Sequence, residues 1–281
     1  MKNLVVIPNV SKDTDFSVTH EVVERLLSLG FKVYIKSSVG YNACGVEICD
    51  DYPDNIYLAV VIGGDGSIID ASVFAIERDI PILGVNLGRM GYLTEVELDE
   101  LSVLDNLAIG KYSVTEKMLL EVQISSKDRT CDRYAVNDVT VTRDTFSNIA
   151  DIKIEDSIEN AVKLRADGVI LSTPQGSTAY SFSAGGPILA HDVEGILLTP
   201  VSSHSFFNRS VLFNSAENIK ITNLGAQSLN VNVDGRNIGT LAPNEFCNIK
   251  KAEKNVKILT FKKNSMFSSL FKKMRILGDI D

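Results

Sequence analysis

The pattern of apolar and polar positions divides the chain into two unlike parts. In the first, residues 58–62 form an unbroken apolar run, Leu-Ala-Val-Val-Ile. A short, valine-rich run of that kind predicts a strand buried on both faces. Gly63-Gly64-Asp65-Gly66-Ser67 follows at once, and an apolar, helix-like segment covers 68–76. Upstream, 4–7 predicts a first buried strand. Residues 14–29 predict a helix with Val18, Val22, Val23 and Leu26 on one face and Gly30 at its end, and 31–35 predict a second strand. A β-α-β unit of this kind argues for a parallel sheet with a right-handed crossover. Residues 37–57 are polar, acidic and rich in turn formers, and read as an exposed connector with one short helix. A further strand is expected over 81–86, ending in a glycine-bearing loop (87–94) in which Arg89 and Tyr92 offer a charge and a ring. Residues 99–109 read as a surface helix with Leu101, Leu104 and Leu107 turned inward.

After residue 111 the period changes. Short β-like runs cover 119–124, 134–142, 149–154, 168–172, 219–222 and 229–233, and Asp234-Gly235 is a hairpin-turn signal. Long helical periodicity is nearly absent until 261–277, where Phe267, Leu270, Phe271, Met274 and Leu277 recur three or four apart among lysines. That spacing predicts a basic amphipathic helix, suited to a membrane surface but read here as docking on the first domain because the stripe has ordinary core spacing. The expected fold is therefore α/β plus all-β. A doubly wound α/β domain, 1–110, is completed by 262–281, and a β-rich, sandwich-like domain spans 111–261.

Composition narrows the function. Two domains are the natural expectation for 281 residues, and 44% apolar content is ample for their cores. No apolar run reaches the roughly 18 residues of a membrane span. The chain opens directly on a strand-like run, without a signal-peptide layout, and its four cysteines (Cys44, Cys49, Cys131, Cys247) form no C-x-x-C pair. Both observations predict a cytoplasmic protein with free thiols. A net charge of −8 argues against a nucleic-acid binder. It also means that phosphate handling would fall to backbone N–H groups, a few local cations and a metal ion.

Three stretches could carry chemistry. At the strand-to-helix turn, Gly63, Gly64 and Gly66 allow close backbone approach to phosphate, and the helix N-terminus favours an anion. Asp65 is out of place in a simple phosphate cradle and suggests a general base or a metal ligand. The glycines and Asp65 also suit an ordinary turn, since both residue types tolerate positive φ. Asn137-Asp138 lies inside a β-like run, where it is costly if buried and useful if it faces a ligand. Residues 172–186 are small, hydroxylic and glycine-rich, with Tyr180 as a stacking face, and read as a ligand groove. Gly-x-Ser-x-Gly is absent, so binding is favoured there over covalent catalysis.

Together these stretches resemble the NAD kinase family. The match comprises Gly63-Gly64-Asp65-Gly66, Asn86-Leu87-Gly88 with Gly91-Tyr92-Leu93, Asn137-Asp138, Arg165-Ala166-Asp167-Gly168, the run 172–180 and Val233-Asp234-Gly235. The Thr-Pro-x-Gly-Ser-Thr-Ala-Tyr segment is its specific part; Gly-Gly-Asp-Gly is shared with lipid and sugar kinases. Ser67 stands where the family usually has Thr, and Asp138 where many members have Glu.

The resemblance implies phosphoryl transfer from ATP, another nucleotide or polyphosphate to the adenosine ribose 2′-hydroxyl of NAD. Asp65 would be the proton acceptor, with Gly63, Gly64, Gly66 and Ser67 at the phosphates and Mg²⁺ as cofactor without a nameable direct protein ligand. NAD would lie between the domains. It would be contacted by Asp65, Gly66, Tyr92, Asn137 and Asp138, by Arg165 and Asp167 at the nicotinamide end, by Thr178, Ala179, Tyr180, Ser181, Phe182 and Ser183, and by Ser202, His204 and Gly235. A homodimer or homotetramer is implied, with no nucleic acid or membrane as partner. A lipid or sugar kinase and a catalytically silent NAD(H) sensor are the competing readings.

Overall fold

The structure, a computed structural model, describes residues 1–88, 91–126, 129–144, 148–190 and 192–261. It contains two compact units, Met1–Glu116 with 256–261, and Lys117–Asn255. The amphipathic helix expected over 261–277, and with it the return of 262–281 to the first domain, lies outside the described residues except at Phe261.

The first unit runs β1 (Asn3–Pro8), α1 (Ser17–Ser28), β2 (Lys32–Lys36), β3 (Val46–Cys49), β4 (Ile56–Gly63), α2 (Asp65–Arg78) and β5 (Ile82–Asn86). Its strands are parallel and lie in the order β3-β2-β1-β4-β5. The chain thus leaves β1 in one direction and returns to β4 on its other side. In open α/β sheets the loops after two such strands part to leave a crevice, and ligands bind there. β4 is central and buried on both faces, which its unbroken apolar run requires. Leu4, Val6, Leu58, Val60 and Ile62 share a core with Val22, Val23 and Leu26 of α1.

Two local expectations are corrected. The stretch 37–57 is more than a connector, because Val46–Cys49 adds an edge strand beside β2. At four residues and half exposed, it lacks the apolar run that marks a buried strand. Residues 99–109 are not one α-helix. A 3₁₀ segment, Leu98–Leu104, is followed by a single turn, α3 (Asp105–Ala108). Leu101, Leu104 and Leu107 are buried as expected, but a spacing of three is the 3₁₀ period, in which i and i+3 eclipse.

The second unit is built from antiparallel strands: β6 (Ser113–Ser126), β7 (Arg129–Ala135), β8 (Asp138–Arg143), β9 (Ala150–Glu155), β10 (Ala161–Ala166) and β11 (Gly168–Ser172). A 3₁₀ turn (Gln175–Thr178) and the short α4 (Tyr180–Ser183) interrupt them. Then come β12 (Gly195–Val201), β13 (Val211–Asn214), β14 (Asn218–Asn223), β15 (Leu229–Val233), β16 (Arg236–Leu241) and β17 (Phe246–Thr260). One sheet is ordered β13-β12-β11-β8-β15-β16. The other contains β10-β9-β14-β17, with β6 between β17 and β7. Val139, Val141, Val169 and Leu171 from the first share one core with Ile152, Ile154, Ile219 and Ile221 from the second, so the sheets pack face to face. The end of β17 belongs to the first unit, where Ile258 pairs in parallel with Ile82 of β5.

Candidate active site

In the first unit the site is assembled at the reversal of strand order. Gly63 ends β4, Gly64 caps α2 in an extended conformation, and Asp65 is the first helical residue. Asp65 does not point idly into solvent. Its two carboxylate oxygens accept the backbone N–H groups of Tyr92 (2.8 Å) and Leu93 (2.9 Å). This brings the loop after β5 onto the turn after β4. Gly91 is required by that approach, because a Cβ there would collide with Asp65 Oδ1.

The loop after β1 closes the third side. The Asn9 side-chain amide donates to Ser67 Oγ (2.8 Å), and the Asn9 backbone N–H donates to the Ile62 carbonyl (2.8 Å). A cavity of about 490 Å³ results, lined by Asn9, Lys12, Gly64, Asp65, Gly66, Ser67, Asp70 and Gly91. Tyr92 is joined to it through its backbone N–H. Arg89 lies outside the described residues. Reading the sequence missed Asn9, Lys12 and Asp70. The first two sit in an unpatterned polar loop, and only the adjacency of β1 and β4 connects them to the glycine turn.

In the second unit a single carboxylate organises the other candidates. The run 134–142, expected as one strand, breaks at Val136-Asn137 into β7 and β8. The N–H groups there are taken by Asp234. Its Oδ2 accepts from Val136 (2.8 Å), and its Oδ1 from Asn137 (2.8 Å) and Asp138 (3.0 Å). Asp234 sits at φ 47° and Gly235 at φ 79°, the two positive-φ positions of the β15–β16 hairpin. From the other side, Thr173 Oγ1 donates to the Val136 carbonyl (2.7 Å) and accepts from Gly176 N–H (3.0 Å). Gly176 packs on the Asn137 backbone where no Cβ fits. Asn137 and Asp138 are therefore held rigidly by residues far away in sequence.

Asp138 is 5% exposed. Burial, reinforced by the neighbouring Asp234 charge, pushes its carboxyl up to about 7. Burial also raises Asp234, against the three N–H groups that hold its ionised form. The sign of the stability effect follows. Between about pH 4 and pH 7 the folded Asp138 keeps a proton that the unfolded chain has lost. Its contribution is fully present below pH ~4 and is lost as the pH rises through about 7. The expected result is that Asp138→Asn flattens the pH dependence of the unfolding free energy from urea titrations over that window, by at most about 4 kcal/mol. Unchanged wild-type steepness in the variant would contradict this account of Asp138.

The hydroxylic stretch is bound partly to itself and partly to neighbouring segments. Ser172 donates to the Thr173 carbonyl (2.7 Å) and Thr178 to the Gln175 carbonyl (3.2 Å). Ser177 accepts from Leu189 N–H (2.7 Å), and Ser181 pairs with Thr199 (2.8 Å). Tyr180, Phe182 and Ser183 are exposed, with Ser181 buried among them and Ala179 half-buried just before.

Arg165 and Asp167 are each ion-paired within the second unit. The chain turns between β10 and β11 at Asp167, so the two side chains find different partners. Arg165 meets Asp151 (3.0 Å), and Asp167 meets Arg143 (2.9 Å). Backbone bonds tie this corner to the loop after β12, with His204 N–H on the Arg165 carbonyl (2.8 Å) and Asp167 N–H on that of Val201 (2.9 Å). Ser202 lies in that loop at φ 48°. A second cavity, about 310 Å³, adjoins the Arg165–Asp151 pair and includes none of the hydroxylic residues.

Among the described residues no cluster of three or more His, Cys, Asp or Glu side chains is arranged for a metal, and no helix is long and apolar enough to cross a membrane. Cys44, Cys49 and Cys247 are free thiols.

The first unit is thus a parallel sheet with an acid-bearing glycine turn at its strand reversal, and the second packs two antiparallel sheets face to face. Comparison with known proteins makes this specific. Residues 4–112 match the ATP-NAD kinase N-terminal domain and residues 136–261 the ATP-NAD kinase C-terminal domain. The NAD kinase of Thermoanaerobacter sp. (strain X514) is 35% identical over 281 residues, 98% of this chain and 99% of that protein. That of Caldicellulosiruptor bescii is 37% identical over 256 residues, covering 91% and 94%. Among solved structures, the yeast NADH kinase complexed with NADH superposes with a TM-score of 0.86 at 22% identity, over 100% of this chain and 89% of that one. An NAD kinase from Archaeoglobus fulgidus in complex with ATP gives 0.74 at 24% identity, over 98% and 99%. The chain belongs to the NAD kinase family and is a phosphotransferase.

Proposed function

We propose that this chain transfers the terminal phosphoryl group of ATP to the adenosine ribose 2′-hydroxyl of NAD, giving NADP. The observation that carries the reading is Asp65, a carboxylate fixed by two backbone N–H groups at the wall of a cavity otherwise lined by Gly64, Gly66, Gly91, Asn9, Ser67, Lys12 and Asp70. Both of its oxygens retain lone pairs, so one can accept a hydroxyl proton without releasing the loop. The ribose oxygen attacks the γ-phosphorus, the bond to the β-phosphate oxygen breaks, ADP leaves, and the proton goes to Asp65. Phosphoryl transfer asks little covalent chemistry of the protein and much positioning, which suits a site in which Asn9, Ser67 and Asp65 are hydrogen-bonded in place.

Gly63, Gly64, Gly66 and Ser67 are assigned to the donor phosphates at the N-terminus of α2. Tyr92, Asn137, Asp138, Gly235, the outward face of 178–183 and the corner formed by Arg165, Asp167, Ser202 and His204 are assigned to NAD. A divalent cation, Mg²⁺, fits the donor set. Mg²⁺ is characteristically held by substrate phosphates with one or two carboxylates, and Asp65 and Asp70 line the cavity. When bound it neutralises phosphate charge. The working form is proposed to be a cytoplasmic homodimer or homotetramer.

A panel of acceptors (NAD, NADH, diacylglycerol, fructose 6-phosphate) offered with ATP, GTP or polyphosphate tests the assignment. Phosphate is expected on NAD. Transfer to the lipid or sugar with NAD untouched would overturn it.

A further inference from the structure

We propose that Lys12 is the cationic contact for the triphosphate of the donor, a role that rests on the kinase reading above and names one of its parts. Three observations place it there. First, among the described residues lining the 490 Å³ cavity, Lys12 is the one cation, against two carboxylates, Asp65 and Asp70. In a protein of net charge −8, a polyphosphate entering that cavity meets an unfavourable field that this ammonium offsets locally. Second, its ammonium lies over the glycine turn, with Lys12 Nζ 3.4 Å from the position a Cβ on Gly64 would occupy. A lysine in that place acts on phosphate as a mobile point charge rather than a fixed fork.

Third, the loop that carries it is built rather than slack. Lys12 N–H and Asp13 N–H both donate to the Asn9 carbonyl (3.0 Å each), and Asn9 is itself tied to Ser67. Asp13, only 3% exposed, accepts from Thr19 N–H (2.8 Å), Thr19 Oγ1 (2.5 Å) and Val18 N–H (3.3 Å). These are donors that the start of α1 would otherwise leave unpaired. A buried carboxylate thus locks the residue next to Lys12 onto α1, while Asn9 locks the same loop onto the glycine turn. The exposed lysine head is the one long side chain this arrangement delivers to the cavity from the β1 loop.

The test is steady-state kinetics of Lys12→Met and Lys12→Arg with Mg·ATP and NAD varied separately, together with calorimetric titration of Mg·ATP and melting curves. A hydrogen bond between charged partners is worth roughly ten- to hundredfold in affinity. Lys12→Met is expected to raise KM for ATP, and to weaken Mg·ATP binding, by roughly tenfold or more. KM for NAD and the melting temperature stay at wild-type values, and Lys12→Arg recovers most of the loss. Unchanged ATP parameters in Lys12→Met overturn the proposal, as does a loss falling equally on ATP and NAD. If the wild-type chain makes no NADP, the kinase reading fails on its own. The Mg·ATP titration then still decides Lys12, weaker binding by Lys12→Met supporting the contact and equal binding overturning it.

Discussion

Asp65→Asn is expected to bind NAD and to lose turnover by roughly 10²–10⁴-fold, the usual contribution of a positioned general base. The variant is nearly isosteric, so the cavity keeps its shape, but an amide cannot take up the hydroxyl proton. One further effect enters. In the wild type both carboxylate oxygens accept backbone N–H groups, from Tyr92 and Leu93. The asparagine amide can satisfy one and must turn its NH₂ toward the other. A modest stability loss of about 1–3 kcal/mol therefore accompanies the change. Measuring kcat, KM for NAD and the melting temperature separates the two. Loss of kcat with KM for NAD near wild type is the signature of the base. Near-normal turnover would remove Asp65 from that role.

Asp234→Ala is expected to have the largest effect on stability. It strips the acceptor from three backbone N–H groups at once, those of Val136, Asn137 and Asp138. Hydrogen bonds to a charged partner are worth about 1.5–3 kcal/mol each, and three sharing one carboxylate add less than fully. A loss of at least about 3 kcal/mol follows, which lowers the melting transition of the second unit by roughly 10 °C. Asp234→Asn should cost much less. Oδ1 alone accepts from Asn137 and Asp138, so an amide oxygen in its place orphans only the Val136 N–H. The comparison checks the mechanism, since equal losses in the two variants would mean the carboxylate's hydrogen bonds are not what holds this corner. NAD affinity should fall with the alanine variant as Asn137 and Asp138 lose their fixed backbone.

The first unit was legible in the sequence because its strands are buried on both faces, and continuous apolar runs such as 58–62 admit few other readings. The glycine turn with Asp65 followed from the same run. The residues that complete the cavity were not legible. Asn9 and Lys12 are separated from Asp65 by more than fifty positions and carry no periodicity. What joins them is the sheet order, which places β1 beside β4 and which local pattern does not encode. In the second unit, sequence adjacency misled once. The run 134–142 read as one strand because nothing local reveals that Asp234, nearly a hundred residues on, takes the N–H groups a continuous strand would have used. The hydroxylic stretch was recognised as special. Its hydroxyls prove to hold the stretch together and to tie it to Val136, Leu189 and Thr199, with Tyr180 and Phe182 left exposed.

The central claim is that Asp65 deprotonates the 2′-hydroxyl of NAD for attack on the γ-phosphate of ATP. The most direct test is a stoichiometric assay of wild-type protein with NAD and Mg·ATP, scoring ADP release and NADP by an NADP-specific dehydrogenase. The account predicts one NADP for each ADP, with the product accepted by that enzyme because its phosphate is on the 2′-oxygen. ADP released without NADP, or phosphate on a different hydroxyl, would contradict it.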